Sequence, residues 1–141
     1  MNAPQKDFID SKTKEKMLTV LHAQREAYIE EGNVSAQTRI DRIDRAIDML
    51  VTHAGAISDA INKDFGCRPR ETNLMTDVTG SLENLKHCKK HLHKWMKREK
   101  RPSMFPLNLL GGRSFIEYQP KGVVGVIAPW NFPVGMVFEP V

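Results

Sequence analysis

The sequence has 141 residues, the length of one domain, with 40% hydrophobic and 27% charged residues, as in ordinary soluble globular proteins. Its net charge is +4 at pH 7, and its two cysteines are too few for a disulfide framework, so a reducing compartment fits best. The N-terminal stretch lacks the apolar core of a signal peptide, and no apolar run is long enough to span a bilayer. We therefore expect a cytoplasmic protein without a membrane partner.

The sequence before residue 99 predicts three helices. The first runs from about residue 11 to residue 31, and Gly32-Asn33 terminates it. The second follows Ser35, a suitable N-cap, and closes at Phe65-Gly66. Its apolar residues recur at three- and four-residue steps, which is typical of a helix with one buried face. These residues are Ile40, Ile43, Ile47, Leu50, Val51, Ala54, Ile57 and Ile61.

The third helix is predicted from Pro69, a residue that suits the first turn. Its apolar stripe consists of Val78, Leu82, Leu85, Leu92, Trp95 and Met96. The run at residues 86–101 holds eight Lys or Arg residues and one Glu, with Trp95 inside it. This composition suits either a nucleic-acid-binding surface or the solvated face of a helix. We favour the solvated face, with Leu85, Leu92 and Trp95 turned inward, because the apolar spacing continues through the run.

The same run contains His87, Cys88, His91 and His93. His87 and His91 lie one helical turn apart, with Cys88 near His91, a spacing that is compatible with a zinc site. The other histidines, at positions 22 and 53, stand alone on other predicted helices. We therefore predict no metal site.

From Arg101 the hydrophobic period changes to that of short strands. Two strand-like runs flank Gly111-Gly112, and they predict a hairpin within residues 101–121. The following segment, GVVGVIA at 122–128, is apolar on both faces, as in a central strand of a parallel sheet. A parallel neighbour requires a crossover of about a dozen residues or more, and only eight follow Pro133.

We therefore expect an incomplete α/β protein, the N-terminal fragment of a longer chain. Its predicted parts are an N-terminal helical layer at residues 1–100, the hairpin at 101–121, and the truncated start of a further sheet at 122–141. Its start reads as natural and untargeted, whereas its end falls inside an apolar pattern.

The turn after this predicted strand holds one amide side chain, Asn131, between Pro129 and Pro133. Sites in open α/β sheets form at the carboxyl ends of strands. An amide donates hydrogen bonds without losing a proton, which suits the stabilisation of a developing oxyanion. Alternatively, Asn131 makes a local turn hydrogen bond to its own backbone, as Asn often does. The residue types alone leave both interpretations open and favour the second.

The fourteen residues PKGVVGVIAPWNFP, at 120–133, resemble the signature that opens the Rossmann-like nucleotide-binding domain of the aldehyde dehydrogenase superfamily. The order of elements, with helices and then a hairpin before this motif, also resembles that superfamily, where the hairpin is an oligomerisation segment. Within it, NKDFGCRPRETNL and HLHKWMKREKRPS are most similar to bacterial coniferyl aldehyde dehydrogenases. The resemblance implies an NAD- or NADP-dependent oxidation of an aromatic aldehyde, coniferaldehyde to ferulate, by a homo-oligomer with a dimer favoured.

The resemblance also implies roles for individual residues. Asn131 matches the catalytic asparagine, whose amide holds the oxygen of the thiohemiacetal formed by a cysteine. Four residues match positions along the cofactor, namely Ile127, Ala128, Pro129 and Trp130. The family's nucleophilic cysteine and general-base glutamate lie downstream, so Cys67 and Cys88 are expected to be ordinary thiols and the fragment alone to be inactive. The alternative function is a basic helical nucleic-acid-binding module.

Overall fold

A computed structural model describes residues 10–140 of the chain. It contains helices α1 (Ser11–Glu31), α2 (Ala36–Phe65), α3 (Arg70–Asn73), α4 (Gly80–Trp95) and α5 (Gly135–Phe138), a π-helical segment (Leu74–Thr79), and strands β1 (Glu99–Arg101) and β2 (Ser114–Ile116). The described chain forms two compact units. One comprises residues 10–34 with Pro120–Gly125, and the other comprises Ser35–Gln119 with residues 126–140.

Helix α1 begins at its N-cap Asp10. One carboxylate oxygen of Asp10 accepts the backbone N–H groups of Lys12 (2.9 Å) and Thr13 (3.1 Å), and the Thr13 hydroxyl donates to the other. These hydrogen bonds, first of all that from the Thr13 hydroxyl, lower the pKa of Asp10 below its ordinary value. The cap therefore remains ionised at a lower pH than a free aspartate would.

The other end of α1 is joined to the segment that follows the hairpin. The helix ends at Gly32, whose φ of 63° is favourable only for glycine. The Tyr28 hydroxyl donates to the carbonyl of Pro120 at 3.0 Å. No residue of α1 is buried.

The predicted bounds of α2 are confirmed. The Ser35 side chain accepts the N–H of Thr38 at 3.1 Å, and Gly66 closes the helix in the left-handed conformation with φ 74°. The core of the second unit, which contains α2, lies where α2 packs against the helical run from α3 to α4. Its fully or nearly fully buried apolar side chains are Leu50, Ile61, Val78 and Leu85.

The third predicted helix is present, but it has an unexpected interior. Pro69 is its N-cap, and the run from Arg70 to Trp95 passes through the π-helical segment at Leu74–Thr79. There the N–H of Gly80 bonds to the carbonyl of Met75, five residues back. Trp95 was expected to face inward, but it is exposed, and its ring stacks on His91 with centroids 5.8 Å apart. Trp95 is the last residue of α4 and lies beyond the part of this helix in which Leu85 is buried.

The described chain contains an antiparallel strand pair, but its first strand is Glu99–Arg101 and not the predicted run directly before Gly111-Gly112. Glu99 pairs with Ile116, and Arg101 pairs with Ser114. The apolar run between them forms turns instead of a strand.

Residues 122–128 do not form the predicted strand, and the described chain is mostly helical, with one small antiparallel sheet. A strand requires a hydrogen-bonded neighbour. The described residues supply no neighbour for this segment.

Candidate functional site

Asn131 lies in a turn that leads into α5. Its side chain is exposed, and within residues 10–140 its amide makes no hydrogen bond. The own-backbone hydrogen bond considered from the sequence is thus not found. The two N–H donors of this amide face solvent, where they are available to a ligand oxygen.

The backbone of this turn is held by Arg68, which lies between α2 and α3. Its Nη1 donates to the Asn131 carbonyl at 2.8 Å. Its Nη2 donates to the Thr76 hydroxyl at 2.8 Å and to the Asp77 carboxylate at 3.2 Å. The guanidinium therefore ties the turn to the π-helical segment.

Asp77 holds the other end of the same turn. Its Oδ1 accepts the backbone N–H groups of Val134 (3.0 Å) and Gly135 (3.3 Å), which are the first donors of α5. Its Oδ2 faces Arg68. The Asp77 side chain has no exposed surface, and that of Arg68 is 10% exposed. The charges are buried, but each is paired and hydrogen-bonded, as buried ions require.

Two aromatic rings enclose the guanidinium of Arg68. Its central carbon lies 5.0 Å from the centroid of Phe65 and 5.1 Å from that of Phe132. Both distances are within the range of cation–π attraction. Since Phe132 follows Asn131 directly, this contact also fixes the turn.

The four residues predicted to line a cofactor lie outside helices and strands. The Ile127 side chain is 99% exposed and that of Trp130 is 86% exposed, Pro129 is exposed, and Ala128 is half-buried. Trp130 therefore makes no core contact in this structure. The segment presents its main chain and its side chains to the surroundings.

The basic run is partly neutralised by carboxylates. Lys89 contacts both oxygens of Asp44 at 2.5 and 2.7 Å, and Arg98 pairs with Glu117 at 2.8 Å.

Within residues 10–140, no group of three or more His, Cys, Asp or Glu side chains is arranged to hold a metal ion. His91 instead contacts the His87 carbonyl at 2.9 Å. Among the same residues, none of the helices is both long and apolar enough to cross a membrane.

Comparison with known proteins accounts for the motif around Asn131. A family model described as the aldehyde dehydrogenase family matches residues 7–141. The chain belongs to the aldehyde dehydrogenase family. The matched region includes residues 120–133, which supports the interpretation of this segment as a motif of the family.

Aldehyde dehydrogenases with a coniferyl substrate in their names are among the similar proteins. The chain is 47% identical, over 99% of its length, to a probable coniferyl aldehyde dehydrogenase of Caulobacter vibrioides. It is 43% identical, over 89% of its length, to a coniferyl aldehyde dehydrogenase of a Pseudomonas species. The matched regions cover 29% and 25% of those two proteins.

Two residues that hold the turn of Asn131 were missed from the sequence. Asp77 sits at the four-residue step that leads to Ser81 and Leu85, both buried, so its position on the inner face was detectable. Arg68 carried no comparable signal. It lies 63 residues before Asn131, and the contact between them exists only in the folded chain.

Proposed function

We propose that this chain forms the N-terminal part of an NAD- or NADP-dependent aldehyde dehydrogenase that oxidises an aromatic aldehyde of the coniferyl type. Family membership supports the reaction class. The names of the two relatives described above support the aromatic substrate. The share of those relatives that the chain spans supports its being one part of a longer protein.

One observation carries the catalytic role: the Asn131 amide is exposed on a turn whose own carbonyl is fixed by Arg68 at 2.8 Å. In the proposed reaction, a cysteine thiolate outside these 141 residues attacks the aldehyde carbon, and the carbonyl electron pair moves onto oxygen. Asn131 donates its Nδ2–H to this oxygen. A fixed dipole stabilises the developing charge without reorganising at the moment of reaction.

The segment at residues 127–130 is proposed to lie along the nicotinamide cofactor. Its exposure and lack of regular structure leave main-chain atoms open, which fits a ligand contacted through the backbone. The bound cofactor would supply the hydride acceptor of the oxidation. The contribution of these residues is to position it and to shield the reacting carbon from water.

We also propose a cytoplasmic homo-oligomer, with a dimer favoured. The hairpin supports this, because both of its strands are exposed and each presents an edge to which a second chain can pair.

The function is tested with the full-length reading frame that encodes this chain. The purified protein should reduce NAD⁺ or NADP⁺, measured by absorbance, when coniferaldehyde is added, and ferulate should accumulate in equal amount. The 141-residue chain alone serves as the control and should give no turnover. A full-length protein that oxidises no aldehyde would refute the proposal.

Replacing Cys67 or Cys88 with serine should leave the kcat of the full-length enzyme unchanged. Cys67 is exposed and Cys88 is half-buried, and within residues 10–140 neither sulfur has a hydrogen-bond or ion-pair partner. A catalytic thiol needs a neighbouring base or cation to form the thiolate. Steady-state kinetics of each variant provide the measurement. Loss of turnover in either variant would show that the replaced cysteine is not an ordinary thiol.

A further inference from the structure

Arg68 and Asp77 together hold both ends of the turn that carries Asn131. Arg68 binds the carbonyl on one side, at Asn131, and Asp77 binds the two N–H groups on the other side, at Val134 and Gly135. The two side chains bond to each other, so the ends are fixed relative to one another. The intervening Phe132 is held against the guanidinium.

This arrangement differs from the other ion pairs nearby. Arg70, two residues after Arg68, pairs with Asp59 at 2.7 Å, but both of those side chains are more than half exposed. An exposed pair contributes little to stability or geometry. The pair of Arg68 and Asp77 is buried, is stacked between aromatic rings, and bonds directly to the turn's main chain.

We propose that Arg68 and Asp77 are positioning residues that set the backbone of the 131–135 turn and thereby aim the Asn131 amide at the reacting oxygen. This inference rests on the proposed function of Asn131. Neither residue touches substrate, and both act through the turn. The fixed carbonyl and the side-chain amide belong to the same residue, Asn131. A displacement of the main chain at this residue therefore moves the two N–H donors of the amide by a similar distance. A misplacement of about 1 Å in an active site can cost about 10²-fold in rate.

The test is Arg68→Lys in the full-length enzyme, with Arg70→Lys as the matched control. Lysine keeps the charge but not the fork that reaches Asn131, Thr76 and Asp77 together. We expect kcat to fall about tenfold or more, because the turn is no longer fixed. The KM for the cofactor should stay unchanged in Arg68→Lys. Arg70→Lys should keep kcat within about twofold of the parent, since its pair is exposed.

A double-mutant cycle separates positioning from a general effect on the fold. If Arg68 acts through Asn131, then Arg68→Lys should lower kcat in the parent enzyme but not further in the Asn131→Ala enzyme. Full and equal losses in both backgrounds would show that Arg68 only stabilises the fold, and would overturn the inference.

A second variant covers the case in which Arg68→Lys does not fold. Asp77→Asn keeps the shape and an acceptor for the N–H groups of Val134 and Gly135, but it removes the charge that faces Arg68. It should show the same loss of kcat and the same lack of additivity with Asn131→Ala. An unchanged kcat in a folded Asp77→Asn or Arg68→Lys enzyme would refute the inference.

These outcomes distinguish the inference from the function on which it rests. If Asn131→Ala retains full turnover, the catalytic role of Asn131 fails, and the inference fails with it. If Asn131→Ala loses turnover while Arg68→Lys and Asp77→Asn keep it, only the positioning role fails.

Discussion

Replacing Asn131 with alanine is expected to lower the kcat of the full-length enzyme about 10²–10³-fold, which corresponds to roughly 3–4 kcal/mol of transition-state stabilisation. The amide would donate to an oxygen that is charged only after the thiolate attacks, so its loss affects the transition state more than the bound ground state. Cofactor affinity should therefore hardly change. Stopped-flow and steady-state kinetics with coniferaldehyde give kcat, and a fluorescence titration gives the cofactor Kd.

Asn62→Ala provides the control for this measurement. Asn62 is exposed on α2, and alanine is well tolerated at an exposed helical position. Its kcat should equal that of the parent. If Asn131→Ala behaves in the same way as Asn62→Ala, Asn131 has no catalytic role.

The largest effect on stability is expected from Leu50→Ala. Leu50 has no exposed surface and lies in the core between α2 and the run from α3 to α4. Removing a fully buried leucine side chain costs roughly 2–5 kcal/mol, because transfer energy is lost and a cavity remains. The loss should appear as faster amide hydrogen exchange throughout α2 and α4 in the full-length enzyme.

Met49→Ala is the matched control, since its side chain has a similar size but is 44% exposed. It should change exchange in α2 far less than Leu50→Ala does. Equal effects of the two substitutions would show that Leu50 is not part of the core that the structure describes.

The helix bounds could be predicted because their signals are local. Ser35 caps α2 through a hydrogen bond to a residue three positions away, and Gly66 closes it with a conformation that other residues avoid. Within the predicted apolar stripe of α2, Leu50 and Ile61 are buried, Val51 is exposed, and the other residues are half-buried. Such features depend on neighbours within one or two helical turns.

The remaining features depend on residues that are distant in sequence. The π-helical segment places Asp77 where it reaches Val134, a contact across 57 residues that no local pattern encodes. Residues 122–128 have the composition of a buried strand, but the described chain offers no strand beside them. Trp95 follows the helical spacing of the stripe, yet it lies at the end of α4. The position of Asn131 on a turn was predictable, whereas the contacts of Arg68 and Asp77 with this turn were not.

The contact of Arg68 with the turn limits where related enzymes can be recombined. A chimera with a crossover between residues 77 and 131 takes the arginine and the carboxylate from one parent and the asparagine turn, including Phe132, from the other. Such a hybrid contains a complete set of helices, but its pair of Arg68 and Asp77 and its turn come from different parents. Crossovers before residue 65 avoid this mismatch, because they transfer Phe65, Arg68, Asp77 and the turn as one block.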